Sequence, residues 1–121
     1  MAELHEFLVV SLRRRLFKRG FKISKQLTPT YRADIFAERR SAKGRLIEQI
    51  VVEAEIRSTL FSEHTSEQLT LMEEFIQHQG AKRIKARGVL LIPRDKATLQ
   101  LAVSLLQSLF PEGPSIKIKQ L

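Results

Sequence analysis

The chain reads as an α/β domain, a mixed central sheet flanked by helices in the order α-β-β-β-α-β-α-β. Two observations predict it. Around residues 50–57, Ile50, Val52, Ala54 and Ile56 alternate with Glu53, Glu55 and Arg57, the period-two pattern of a strand with one face in a core. Elsewhere, three windows carry apolar residues at three- and four-residue spacings, and shorter apolar runs bounded by Gly and Pro separate them. At 121 residues the whole chain, 1–121, fits one domain with a single core.

Residues 2–19 are expected to be helical, because Leu4, Phe7, Leu8, Leu12 and Leu16 share a stripe and Gly20 stands at the C-cap. Glu3 and Glu6 near its start and Arg13, Arg14, Arg15, Lys18 and Arg19 near its end suit the helix dipole. Phe21 to Leu27 reads as a short strand, and Thr28-Pro29-Thr30 as a turn. Residues 31–39 and 46–58 form the expected hairpin, with Ala33, Ile35 and Ala37 on one face of its first arm and Asp34 on the other. Ser62 to Gln79 is a second helix, burying Leu69, Met72, Phe75 and Ile76, with Thr65 and Gln68 as a capping box and Gly80 as its stop. Val89 to Ile92 is apolar on both faces, as a covered inner strand is. A third helix, about 95–109, buries Leu99, Ala102, Val103, Leu106 and Leu109. Ser115 to Gln120 closes the sheet as a Lys-bearing edge strand.

Composition narrows the function classes. A hydrophobic fraction of 43% and a charged fraction of 28% are those of an ordinary globular protein. The net charge of +8 favours a polyanionic partner, with nucleic acid ahead of acidic lipid. Cysteine is absent, which excludes disulfides, zinc–thiolate sites and thiol nucleophiles. No apolar run is long enough to span a bilayer and the N-terminus lacks a signal-peptide core, so a cytoplasmic protein without a membrane partner is expected. No glycine-rich phosphate loop is present, so no nucleotide cofactor is expected. The preference for Arg over Lys hints at a thermophile. His5 and His78 lie far apart with no third ligand at metal spacing, and His64 reads as a helix-start surface residue.

The chemistry-bearing residues gather on the hairpin. Asp34 on the first arm falls beside Glu53 and Glu55 on the second, an acidic cluster in the middle of a sheet. A solvated sheet face with Glu–Arg pairs gives the same pattern. The ordered motifs Ala33-Asp34-Ile35-Phe36-Ala37, Glu55-Ile56-Arg57-Ser58-Thr59 and the helix-opening Glu63-His64 resemble the PD-(D/E)xK, restriction-endonuclease-like nuclease superfamily, nearest its archaeal Holliday-junction resolvase branch. The resemblance covers roughly residues 3–92.

It implies a Mg²⁺- or Mn²⁺-dependent endonuclease acting on duplex or branched DNA as a homodimer, since one small domain offers one acidic centre and symmetric junction cleavage needs two. Asp34, Glu53 and Glu55 become metal ligands, with Glu6, less so Glu3, as the family's helix-one acid and Gln68 as a supporting glutamine. Arg57 takes the place of the usual lysine, where an always-protonated guanidinium cannot act as a base. The other register makes Glu53 the main ligand and leaves Glu55 in the lysine place. A two-residue turn at Lys43-Gly44 would set Asp34 opposite Glu53. Arg13, Arg14, Lys18, Arg39, Arg40, Lys43, Arg45, Lys82, Arg83 and Lys85 are the expected phosphate contacts. An inactive relative that only binds nucleic acid, or serves as an assembly subunit, is the alternative reading.

Overall fold

The computed structural model describes residues 2–26 and 31–121. Its elements run α1 (Ala2–Lys18), β1 (Lys22–Gln26), β2 (Arg32–Arg40), β3 (Leu46–Ala54), α2 (Glu63–Ala81), β4 (Ala86–Ile92), α3 (Lys96–Leu109) and β5 (Ile116–Gln120). The order is the expected one. The turn expected at Thr28-Pro29-Thr30 lies outside the described residues.

The strands form one sheet in the order β1-β2-β3-β4-β5. β1, β2 and β3 make an antiparallel meander, whereas β3, β4 and β5 run parallel. Parallel neighbours need crossovers, and crossovers of one hand progressing in one direction fall on one face. So α2 and α3 share a face, packing Leu69, Met72, Ile76, Ala102 and Leu105 against Val51, Leu90 and Ile92. α1 covers the other, packing Leu8, Leu12 and Leu16 against Ile35, Ile50, Val52 and Leu91. The result is three layers, with β3 and β4 covered on both sides. No helix among the described residues is long and apolar enough to cross a membrane.

Local rules explain most boundaries. α1 stops at Gly20, whose φ of +88° suits glycine. The amides of Gly20 and Phe21 bond the carbonyls of Phe17 and Leu16, a Schellman closure with Phe21 and Leu16 buried together. α2 starts at Ser62, whose hydroxyl accepts from the Thr65 amide. The capping box expected from Thr65 and Gln68 does not form, because Thr65 is buried and its hydroxyl donates to the Thr59 carbonyl. Gly80 does not stop the helix either. The chain runs on to Ala81, and Arg83 takes the left-handed position at φ 62°. Its amide and that of Ile84 close the end on Gly80 and Gln79.

Other faces depart from the stripes that three- and four-residue spacing predicts. Leu4 and Phe7 of α1 and Val103 of α3 are exposed, since the sheet covers only a narrow stripe of each helix. Ala33 packs with the α2–α3 side, whereas Ile35 and Ala37 pack under α1. The cause is a β-bulge. Between the pairs Ser24–Phe36 and Gln26–Arg32, β2 spends three residues where β1 spends one, so alternation breaks around Asp34.

Candidate functional site

Asp34, Glu53 and Glu55 meet at the end of β3. Each offers a carboxylate oxygen, and the three oxygens lie within 4.8 Å of one another. Glu53 is the penultimate residue of β3 and Glu55 follows its last, still tied to β4 through its amide and the Leu91 carbonyl at 2.9 Å. Asp34 arrives from the bulge in β2 with Oδ2 accepting the Ala54 amide at 2.8 Å. The β2–β3 register runs from Ile35–Val52 to Arg39–Glu48, one pair short of Asp34 and Glu53. It does not come from a two-residue turn at Lys43-Gly44. The Gly44 amide bonds the Ser41 carbonyl with Gly44 at φ +82°, and a further shift between Arg39 and Arg40 brings the arms to the same pairing.

The three acids line a cleft of about 410 Å³ whose other walls include His5 of α1, Arg32 of β2, and His64 and Gln68 of α2. Glu53 is only 3% exposed. Its Oε2 accepts from the Tyr31 hydroxyl at 3.0 Å and faces Gln68 Nε2 at 3.5 Å. Burial first, and the Asp34 charge second, push its carboxyl up to about 9. Burial also raises Glu55, opposed by the hydroxyls of Thr59 and Thr65. Tyr31 is raised by burial and by Glu53.

This arrangement fits a divalent cation. All three donors are hard oxygens, and the Asp34 repulsion that adds to burial in raising Glu53 is what an added positive charge relieves.

The other expected site residues divide. Gln68 does reach the cleft, giving Nε2 to the Arg32 carbonyl at 3.0 Å, because it is free of the cap. Arg57 does not line it. β3 ends at Ala54, residues 57–61 form a turn, and Arg57 is exposed there, where its charge helps hold down Asp95, whose strongest support is the Thr98 hydroxyl. Arg32 is the only Arg or Lys among the described residues lining the cleft. Glu3 and Glu6 are exposed outside it. The α1 residue that faces the acids is His5, with Nε2 3.3 Å from Asp34 Oδ2. The helical stripe gave the signal, for His5 leads Leu8 and Leu12 on the buried side.

The expected phosphate contacts lie toward the opposite end of the sheet. The hairpin tip with Lys43 and Arg45 is the far end of β3, and Lys82 to Lys85 precede its parallel neighbour β4. Eight residues of strand separate Arg45 from Glu53, about 26 Å. Not all of these bases are free. Arg39 pairs with Glu48 at 2.9 Å and lies 5.8 Å from the Phe21 ring, and Arg40 holds the Gly44 carbonyl and Glu38. Arg87 takes the other oxygen of the buried Glu48.

No known protein family, curated protein or solved structure matches the chain.

Proposed function

We propose that the chain is a metal-dependent DNA endonuclease with a restriction-endonuclease-like fold, acting on branched or duplex DNA as a homodimer. The observation that carries this is the convergence of Asp34, Glu53 and Glu55 on one spot in an open cleft. Three carboxylates at that spacing, one with its proton held to about pH 9, form a poor structural pairing and a good cation cage. The meander followed by a helix and a parallel strand supports the resemblance in element order. The polarity of the molecule supports a polyanion, with acids at one end of the sheet and free bases toward the other.

In this reading Asp34, Glu53 and Glu55 hold Mg²⁺ or Mn²⁺, and Gln68 and Tyr31 fix the Glu53 carboxylate. When bound, such a cation supplies an acidified water and neutralises charge on the phosphate. Arg32, at the cleft wall, would meet the scissile phosphate in this reading, the electrostatic part of the role that Arg57 cannot reach. His5 orients Asp34 from the α1 side.

The displacement of Arg57 favours one second reading, a nuclease-fold subunit that binds nucleic acid without cutting it. Incubation with supercoiled plasmid and four-way junctions in Mg²⁺, Mn²⁺ or EDTA separates the two. Metal-dependent nicking lost in Asp34→Ala is the expected result. Salt-sensitive binding with no nicking in any metal establishes the second reading instead.

A further inference from the structure

A second feature lies on the outer side of α1. Phe17 is 72% exposed and, with Arg13, Arg14, Lys18 and Ile23 of β1, lines a shallow groove of about 470 Å³. No acid lines this groove. Among the described residues no carboxylate pairs with Arg13, Arg14 or Lys18, in contrast to Arg39 and Arg87, which Glu48 neutralises. An apolar ring that water surrounds, framed by three uncompensated cations, lacks both an apolar partner and an anion.

We infer that this groove binds a single-stranded nucleic-acid segment, with a base stacked on the Phe17 ring and Arg13, Arg14 and Lys18 on the flanking phosphates. Stacking on an exposed aromatic within a basic groove is how unpaired strands are held without sequence preference. A duplex does not satisfy the ring, because its bases are already stacked on each other. A second copy of the chain does not satisfy the charges, because a two-fold pairing would set like cations against like. Twelve residues of α1 separate Phe17 from His5 at the cleft, a rise of about 18 Å and about a third of a turn round the helix, so a strand held at the groove must cross α1 to reach the acids. The inference rests on the nuclease reading only for that continuation, and narrows its substrate to DNA with an unpaired segment next to the cut.

The test is fluorescence anisotropy in EDTA, which reads the groove independently of cleavage, with a labelled oligothymidylate of about 15 nucleotides and a duplex of the same length. Phe17→Ala is expected to weaken oligothymidylate binding about tenfold and leave the duplex nearly unchanged, and Phe17→Trp to restore it. Arg14→Ala is expected to weaken both and to lower the salt slope by about one. Phe17 is on the surface, so its variants fold, and a thermal melt checks this. Equal oligothymidylate binding by wild type and Phe17→Ala overturns the inference. So does a wild-type dimer that Phe17→Ala dissolves in sedimentation, or loss of phosphatidylserine-vesicle binding without any oligonucleotide binding. Asp34-dependent nicking with a silent Phe17 removes the groove and keeps the nuclease; strand binding without nicking does the reverse.

Discussion

Asp34 Oδ2 accepts the amide of Ala54 at 2.8 Å, so one carboxylate both ends the β2–β3 ladder and faces the acidic cluster. Its two roles separate by substitution. Asp34→Asn keeps an oxygen for the Ala54 amide and is expected to unfold within about 1 kcal/mol of wild type in urea. Asp34→Ala leaves that amide unpaired and is expected to lose about 1–3 kcal/mol. Both should weaken Mn²⁺ binding by calorimetry at least about tenfold and abolish nicking. Unchanged Mn²⁺ affinity in Asp34→Asn would remove Asp34 from the cage.

Glu53 gives the metal-free protein a pH dependence of defined sign. Its carboxyl is raised from 4.5 to about 9, so the folded state keeps a proton that the unfolded chain has already released. Stability from this group is full below about pH 4.5 and falls as pH rises toward about 9. Melting temperature should decline across that window in EDTA, and Glu53→Gln should flatten the decline. Cation binding displaces the same proton, so Mn²⁺ affinity should rise about tenfold per pH unit below about pH 9. A melting curve equally steep in wild type and Glu53→Gln would sink the assignment.

Gly88 of β4 lies directly beneath Met72 and Ile76 of α2. A Cβ there would lie 2.5 Å from Ile76 Cδ1, 2.8 Å from Met72 Sδ and 3.2 Å from Ile116 Cγ1. Ile76 Cδ1 ends its side chain and Met72 Sδ lies one atom short of the end of a flexible one, so Gly88→Ala should cost about 1 kcal/mol and Gly88→Val about 3 kcal/mol in urea unfolding. Combining Gly88→Ala with Ile76→Val should cost less than the sum of the singles, because the shorter side chain vacates the clash.

What the sequence made legible was whatever depends on periodicity. The order of elements, the buried pair Leu69 and Met72, and the meeting of Asp34 with both glutamates all follow from alternation and spacing. What it hid depends on where alternation fails. The bulge near Asp34 moves Ala33 to the other face, and the end of β3 at Ala54 takes Arg57 out of line with Glu55; neither leaves a mark in residue type. Gly80 was misleading as a stop because propensity permits a helical glycine when packing continues, and Arg83 accepts the left-handed position instead. His5 shows no third ligand at local spacing because its neighbour Asp34, 29 residues away in the chain, is brought to it only by how α1 crosses the sheet.

That loss of alignment after Ala54 yields the sharpest comparison, Arg32 against Arg57. In the proposed nuclease reading, the motif this chain resembles would put a phosphate-facing cation at Arg57, two residues after Glu55, but that side chain sits in the 57–61 turn near Asp95. Arg32 lines the cleft, and its carbonyl is held by Gln68, which also faces Glu53. A guanidinium that meets the scissile phosphate more strongly as charge builds there lowers the barrier rather than tightening the ground state. Arg32→Ala should therefore lower single-turnover cleavage about 100-fold with binding reduced only several-fold, and Arg32→Lys should recover part of the rate. Arg57→Ala should change cleavage by about twofold or less, and its effect should appear at the α3 N-terminus through Asp95. If Arg57→Ala abolishes cleavage and Arg32→Ala does not, the turn must rearrange on substrate binding, and the cation belongs where the motif puts it.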